Sequence, residues 1–250
     1  MPAAYDYYDY PSYWKGRDYE HEAEVVAVKS FLKKIPHIKT LLDIGSGYGR
    51  LTASYLSTAS NVILSDPSVK LLNIAKKTYK DKKVSFIQSK LENLPKRLKN
   101  DSIDLIIIIR VLHHLKNLDN SLPIVSGLLK KEGFLILEFA NKKHLKALIC
   151  EFLKGNLTFP LEIFPQEKCK KSKKKRLPFF NYHPDQILSK LSGNGFKILE
   201  VRSVSNIRNQ LLKKFLPKKV LIFIEKSTQR LLSKINFGPS IFVLAQKNNS

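Results

Sequence analysis

A glycine-rich turn between residues 45 and 49 carries the clearest chemical signal in the sequence. The apolar run Thr40 to Ile44 predicts a short buried strand, and Gly45-Ser46-Gly47-Tyr48-Gly49 follows at once. Glycine permits a sharp turn and lets a ligand approach main-chain N–H groups closely. The apolar spacing after the turn favours a helix to about Ser57, whose free N–H groups would face the ligand. The stretch predicts a nucleotide-type site at the carboxyl edge of a parallel sheet; a turn without a ligand is the alternative.

An acidic residue follows at the distance that ribose recognition requires. Asp66 ends the next predicted strand, Asn61 to Ser65, about 20 residues after the glycines. A carboxylate at that place can accept hydrogen bonds from both ribose hydroxyls. The run Asp66-Pro67-Ser68 would also begin the following helix well, and the two roles are compatible.

Titratable side chains follow the next strands of the same predicted sheet. His113 and His114 come just after the β-branched run that ends at Ile109, and Glu138 lies near the end of Phe134 to Phe139. The carboxyl ends of parallel strands meet at one edge, so either histidine could serve as a general base or contact the substrate. A structural or surface role is the alternative for each of them.

The elements that must position these residues alternate regularly. Strands and helices follow one another with short links through about residue 140, which predicts a parallel, doubly wound α/β sheet. A helix from Pro184, a strand over Phe196 to Val204 and a last strand over Ile241 to Gln246 complete the chain.

Residues 1–36 predict an aromatic arm followed by a helix. Residues 1–14 are rich in tyrosine and aspartate, and they form either a disordered tail or a lid that excludes water from a pocket. Residues 16–35 have helical spacing, and Pro36 ends the helix. The candidate substrate contacts from these elements and from a later insertion are Tyr13, Trp14, Arg17, His21 and His183.

Six short motifs in order resemble the class I S-adenosylmethionine-dependent methyltransferases, in particular the methyltransferase type 11 group. They are Asp43-Ile44-Gly45-Ser46-Gly47-Tyr48-Gly49, Asp66-Pro67-Ser68, Glu92-Asn93-Leu94-Pro95, Ser102-Ile103-Asp104, Val111-Leu112-His113-His114-Leu115 and Leu129-Lys130-Lys131-Glu132-Gly133-Phe134.

The resemblance implies a seven-stranded Rossmann-like sheet of order 3-2-1-4-5-7-6 with the last strand antiparallel. The methyltransferase domain would span residues 37–250, with insertions at about 140–183 and 206–239, and would use S-adenosyl-L-methionine. The implied cofactor-binding residues are Asp43, Gly45, Ser46, Gly47, Asp66, Pro67, Ser89, Lys90, Leu91 and Arg110.

The resemblance also gives these residues roles. Gly45 and Gly47 would lie under the methionine moiety, with Asp43 near its amino group and Arg110 beside it. Asp66 would hold the ribose hydroxyls, and Pro67 and the loop 89–91 would flank the adenine. Lys90 departs from the family pattern, which often has an aspartate there to accept from the adenine amino group. Lysine has no acceptor, so a backbone carbonyl, Gln88 or Ser89 must take that bond.

The composition limits the setting of this activity. The chain has 250 residues, a formal net charge of +23 and two cysteines, Cys150 and Cys169, without metal-ligand spacing. These features favour a cytoplasmic protein with reduced thiols and no metal, and the N-terminus lacks the pattern of a signal peptide. The charge invites RNA or an anionic membrane, for which the basic run Lys168 to Arg176 and the amphipathic segments at 206–239 are candidates, although a lysine-rich surface alone would also explain it.

The favoured function is methyl transfer to an O or C nucleophile of a small-molecule or lipid-like acceptor. An RNA methyltransferase that uses the basic surface is the main alternative, and a silent cofactor-binding module is another. A nicotinamide-dependent oxidoreductase is disfavoured, because the third glycine comes one position early for the dinucleotide pattern. Arg110-Val111-Leu112 replaces the Asn/Asp-Pro-Pro-Tyr/Phe signature of amino-methylating enzymes, which weakens an amino group as the target.

Overall fold

The computed structural model describes residues 6, 9–80, 83–115, 117–167 and 178–249, and its central element is a mixed sheet of seven strands. The strands of the chain are β1 Ile38–Ile44, β2 Ala59–Asp66, β3 Val84–Gln88, β4 Ile103–Ile108, β5 Leu129–Ala140, β6 Gln166–Glu167, β7 Phe180–Asn181, β8 Phe196–Val204 and β9 Ser240–Lys247. The sheet order is β3-β2-β1-β4-β5-β9-β8, and β9 pairs antiparallel with both β5 and β8. The predicted fold and strand order are thereby confirmed, while β6 and β7 form a separate ribbon.

Helices cover both faces of this sheet. They are α1 Tyr10–Tyr13, α2 Asp18–Leu32, α3 Val69–Tyr79, α4 Leu118–Leu128, α5 Leu145–Leu153, α6 Pro184–Gly193, α7 Gln210–Phe215 and α8 Lys218–Ser233. Among the described helices, none has the length and apolarity needed to cross a membrane.

Two apolar layers sandwich the sheet because its central strands are buried on both faces. On one face Ile106 of β4 packs in the same cluster as Leu122 of α4 and Ile187 of α6. On the other face Ile107 packs in the cluster that contains Phe31 of α2. Successive residues of β4 thus pack in opposite layers, which explains why the strand is apolar from Leu105 to Ile108.

The prediction of a helix directly after the glycine turn is wrong. Thr52–Ser54 and Leu56–Thr58 form two short 3-10 turns instead. The hydroxyls of Ser54 and Thr58 donate to the carbonyls three residues earlier, at 2.6 and 2.7 Å, and this local bonding competes with a regular helix. The turn is therefore not followed by an α-helix whose dipole would point at the cavity.

The second insertion packs along the outer strand of the sheet. α8 lies against β8 and α2, and its buried Glu225 accepts from the Tyr19 hydroxyl at 2.5 Å and from the N–H groups of Ser205 and Asn206 at 2.8 and 3.1 Å. These bonds satisfy a carboxylate that would otherwise be costly to bury. The helix is thus fixed to the sheet on one side and exposed on the other.

Candidate functional site

A cavity of about 950 Å³ opens at the carboxyl ends of β1 to β4. Nine residues that the sequence predicted for the site lie on its wall, namely Gly45, Gly47, Asp66, Pro67, Ser89, Lys90, Leu91, Arg110 and His114. Residues that the sequence did not single out for the site also line it, among them Tyr10, Asn93, Lys96, Arg97, Val111 and Leu115.

The glycine turn holds its backbone in a form that other residues adopt only with strain. Gly45 and Gly47 have φ angles of 75° and 58°. The N–H groups of Gly45 and Ser46 both donate to the Ser65 carbonyl, at 2.7 and 3.0 Å, so the turn is tied to β2. A Cβ at Gly45 would come 2.2 Å from Val111 Cγ2, so any side chain there would force the cavity wall to move.

Asp66 stands at the end of β2 and accepts two main-chain hydrogen bonds. Oδ2 accepts from Gly47 N at 2.9 Å, and Oδ1 accepts from Ser68 N at 2.8 Å. Burial raises the pKa of Asp66 to about 6, although both hydrogen bonds favour the charged form. A carboxylate has about four acceptor sites, so roughly two remain for the hydroxyls of a ribose. The residue thus fits the role of holding a nucleoside in this cavity.

Asp43 lies deeper than the cavity wall. Its Oδ2 accepts from the hydroxyl of Tyr55, and the carboxyl group is buried. Burial raises its pKa to about 7, and the nearby charge of Asp66 acts in the same direction. Asp43 is therefore bonded to Tyr55, and its predicted contact with a methionine amino group, directly or through water, stays a prediction.

The loop after β3 forms the other side of the cavity. Ser89 N donates to the carbonyl of Asp66 at 3.2 Å, which fixes this loop to the ribose side of the site. Lys90 lies on the wall, and Gln88 beside it supplies a side-chain carbonyl that can accept from an amino group. Lys96 and Arg97 also line this side, so the cavity mouth has a cationic rim.

Arg110 has an unusual backbone held by a buried acid. Its φ angle is 61°, and its N–H donates to Glu138 Oε2 at 2.7 Å. The guanidinium turns to Glu24 of α2, with Nε and Nη2 both 2.7 Å from Glu24 Oε1. Burial disfavours a charge on Glu24, but Arg110 and Arg50 together hold its pKa below the usual value. Glu138, predicted near this edge, thus positions Arg110.

The aromatic arm contacts the same arginines. The guanidinium carbons of Arg50 and Arg110 lie 3.5 and 4.7 Å from the centroid of the Trp14 ring. Tyr10 reaches the cavity wall and stacks on Tyr13, with 5.9 Å between their ring centroids. Residues 10–14 therefore lie beside the site and α2 belongs to the core, while residues 1–5, 7 and 8 of the predicted arm lie outside the described residues and the lid stays a prediction.

The two histidines after β4 have different surroundings. His113 is buried, with 4.4 Å between its ring centroid and that of Phe179, and burial holds its pKa well below the usual value. His114 lines the cavity, and its Nδ1 lies 2.9 Å from the carbonyl of Pro178. A carbonyl only accepts, so Nδ1 carries the proton and the lone pair is on Nε2. Burial also lowers the pKa of His114, which keeps the ring neutral near pH 7.

Three of the predicted substrate contacts have other roles in the structure. His21 Nδ1 accepts from Arg50 Nη1 at 2.7 Å. His183 begins α6, where Nδ1 accepts from Asp185 N at 3.3 Å and Nε2 donates to the Pro160 carbonyl at 3.1 Å. Arg17 is exposed, with its guanidinium carbon 4.2 Å from the Tyr13 ring centroid. None of the three lines the described cavity, because each is held on a neighbouring element.

Glu24 was not predicted as a site residue, although its place on α2 contains a signal for it. Glu24 shares a face of α2 with Ala27, Val28 and Phe31, all of them buried. A lone acid on an apolar helix face indicates a buried partner of opposite charge.

The predicted basic run Lys168 to Arg176, which includes Cys169, lies outside the described residues.

Comparison with known proteins agrees with this geometry. Residues 42–137 match the family model described as "Methyltransferase domain". Over 99 residues the chain is 34% identical to the "Probable S-adenosylmethionine-dependent methyltransferase CRG1" of Saccharomyces cerevisiae, a match that covers 38% of this chain and 33% of the yeast protein. The chain thus spans about a third of the length of that curated relative.

Solved structures share the fold at low identity. An S-adenosylmethionine-dependent methyltransferase from Mesorhizobium loti has 16% identity and a TM-score of 0.59, over 90% of this chain and 98% of that one. The magnesium protoporphyrin IX methyltransferase of Synechocystis, solved with bound SAH, has 19% identity and a TM-score of 0.57, over 92% and 84%. These likenesses concern the fold.

Proposed function

We propose that this protein transfers a methyl group from S-adenosylmethionine to a small-molecule or lipid-like acceptor. The proposal starts from the match of residues 42–137 to the methyltransferase domain family. The observation that carries the proposal is the pairing of Gly47 with Asp66. One main-chain N–H fixes one carboxylate oxygen at 2.9 Å, beside a cavity large enough for a nucleoside and a second molecule.

The residues of the turn and of β2 would hold the cofactor. Bound S-adenosylmethionine would supply a methyl group on a positively charged sulfur for in-line transfer to the acceptor. Asp66 would accept from the ribose hydroxyls, and Gly47, which lies on the cavity wall without a side chain, would let the cofactor approach the backbone. Holding the two reactants in line in this way can supply roughly 7–11 kcal/mol of the barrier.

The arm and His114 would act on the acceptor side. Tyr10 covers the turn and Trp14 covers Arg110, so the seated arm excludes water from the reacting groups. A neutral His114, with the lone pair on Nε2, can take the proton of a hydroxyl acceptor. A carbon nucleophile that is already activated needs no such base. The apolar Val111 and Leu115 on the wall favour an acceptor with apolar parts.

An RNA acceptor is the second candidate, and the cationic rim favours it. Lys90, Lys96 and Arg97 lie together at the cavity mouth, and the chain carries a net charge of +23. Lysine and arginine contacts to phosphates would position RNA without reading its sequence.

Transfer of a labelled methyl group distinguishes the two candidates. The protein is incubated with a cell lysate and methyl-labelled S-adenosylmethionine, and the lysate is then split into RNA, protein, lipid and small-molecule fractions. We expect label in the lipid or small-molecule fraction. Label in RNA that disappears after ribonuclease treatment supports the second candidate, and no transfer to any fraction contradicts both.

A further inference from the structure

The surface of α7 and α8 is both apolar and cationic. Residues 208–235 contain one acidic residue, Glu225, which lies on the buried face of α8. The same stretch contains eight cationic residues, which are Arg208, Lys213, Lys214, Lys218, Lys219, Lys226, Arg230 and Lys234. Two of them pair with α2, Lys213 with Glu20 and Lys218 with Glu22.

The outer face of α8 is divided into two parallel stripes. Leu221, Glu225 and Gln229 are buried against the sheet and α2, so the opposite face points to solvent. Val220, Ile224 and Leu231 recur there at helical spacing, and Lys219, Lys226 and Arg230 form a second row beside them. Phe223 lies between the rows and is 70% exposed. Such a face leaves apolar area in water at a cost that burial would remove.

α7 extends this apolar surface. No residue of this helix is buried, and Leu211, Leu212 and Phe215 are all exposed, Phe215 at 76%. Lys214 lies between them and is also exposed.

α5 adds a third exposed apolar stripe next to the end of α8. Leu145, Ile149, Phe152 and Leu153 follow the i, i+4, i+7, i+8 pattern of one helix face, and all four are exposed. Leu145 N donates to the carbonyl of Phe237 at 3.1 Å, which ties the start of α5 to the chain just beyond α8.

The charge and the side-chain types of α7 and α8 indicate which kind of partner fits their exposed surface. A second copy would bring two cationic surfaces together, and RNA would need faces on which bases stack, whereas most of these side chains are aliphatic. An anionic bilayer accepts both groups, because apolar side chains enter the boundary of headgroups and acyl chains while lysines meet the phosphates. We propose that α7 and α8 bind the protein to the surface of a membrane that contains anionic phospholipid. This inference is independent of the proposed methyl transfer.

Vesicle flotation tests this inference with the full chain. The probes are phosphatidylcholine vesicles with and without phosphatidylglycerol, at low and high salt. We expect binding to the anionic vesicles only, weakened by salt. The double variant Phe223→Ser/Leu231→Ser should lower the vesicle partition about tenfold or more, and Lys226→Gln/Arg230→Gln should lower it by a similar factor at low salt.

Matched variants elsewhere on the chain control for composition and folding. Leu199→Ser removes an exposed leucine of β8, and Lys76→Gln/Lys77→Gln removes two exposed charges of α3. Both should bind vesicles like the wild type, and all four variants should keep its thermal unfolding midpoint. The inference is overturned if the wild type stays in the aqueous fraction at low salt. It is also overturned if only Lys226→Gln/Arg230→Gln loses vesicle binding and added RNA displaces the wild type from the vesicles. A third contrary result is a dimer in sedimentation that Phe223→Ser/Leu231→Ser dissociates.

Discussion

Glu24 and Arg110 form an ion pair beside the cavity, with 2.7 Å between Glu24 Oε1 and Arg110 Nη2. The Glu24 side chain is wholly buried, and its second oxygen pairs with Arg50. One carboxylate thus joins α2 to Arg110, the second residue after β4, and to Arg50, which follows the glycine turn. Both guanidiniums also contact the Trp14 ring, so Glu24 holds the two side chains against which residues 10–14 pack.

Glu24→Gln should destabilise the protein and loosen the arm. The change removes the one carboxylate that both partly buried guanidiniums contact, which costs about 3–5 kcal/mol of the free energy of unfolding. Glu22→Gln on the same helix is the control, since its 3.5 Å pair with Lys218 is exposed and is worth less than about 1 kcal/mol. Urea unfolding measures both. Equal effects of the two substitutions would mean that Glu24 does not hold the arginines.

Gly45→Ala should damage cofactor binding more than an equivalent change elsewhere. The added Cβ meets Val111 Cγ2 at 2.2 Å, and the left-handed φ adds about 1–2 kcal/mol of strain. We expect at least a tenfold loss of affinity for S-adenosylhomocysteine in calorimetry. Gly155→Ala is the control, because Gly155 has a similar φ of 80° and open space around it. This variant has the backbone strain without the clash, so it should bind S-adenosylhomocysteine as the wild type does.

The clash itself can be tested by removing its partner. Val111→Ala deletes the methyl group that the new Cβ would strike, so Gly45→Ala/Val111→Ala should recover part of the lost affinity. A double variant no better than Gly45→Ala would assign the loss to backbone strain alone.

His114→Gln should lower methyl transfer without altering cofactor affinity. If the ring takes a proton from a hydroxyl acceptor, its loss should cost about 10²-fold or more in rate, measured on the fraction that the wild type labels. His113→Gln is the comparison, because His113 is packed on Phe179 and its loss should lower the thermal midpoint instead. Unchanged transfer by His114→Gln would exclude a base at this position.

The sequence predicted the fold best where burial alone decides it. The buried run of β4 was predicted to within one residue, because the unbroken apolar run Leu105 to Ile109 forms a strand that is covered on both faces. The helix after the turn failed because hydroxyls of Ser54 and Thr58 bond locally and Tyr55 bonds to Asp43. The spacing of apolar residues does not record which polar side chains bond to one another.

The same reason explains which part of the site was missed. Local motifs gave the turn and Asp66, since strand, glycines and acid occur in order along the chain. The Glu24–Arg110 pair joins positions 86 residues apart, and the contact of Trp14 with Arg50 also depends on the tertiary fold. His183 was predicted as a substrate contact from its place in an insertion, but both of its ring nitrogens bond to main-chain groups.

Asp66 should give opposite pH dependences to folding and to cofactor binding. Its pKa of about 6 in the folded protein exceeds the value of about 3.9 in an unfolded chain, so the folded state keeps the proton longer. Its contribution to the free energy of unfolding therefore falls as pH rises from about 4 to 6. The ribose needs the ionised form, so affinity for S-adenosylhomocysteine should rise over the same interval.

Comparison of the wild type with Asp66→Asn isolates this group from the buried histidines. Between pH 5 and pH 7 the wild type should lose unfolding free energy relative to Asp66→Asn, because only the wild type ionises a carboxyl group at this buried position. The affinity of the wild type should increase, while that of Asp66→Asn stays level. A parallel pH profile for the two proteins would show that Asp66 titrates outside this range.

The central claim is that Asp66 and the glycine turn hold the nucleoside of S-adenosylmethionine. Calorimetry with S-adenosylhomocysteine at pH 7.5 on the wild type, Asp66→Ala and the exposed control Asp119→Asn tests it most directly. We predict that Asp66→Ala binds at least about tenfold more weakly, because hydrogen bonds to a charged group are lost, and that Asp119→Asn binds as the wild type does. Equal affinity of all three proteins would contradict the account.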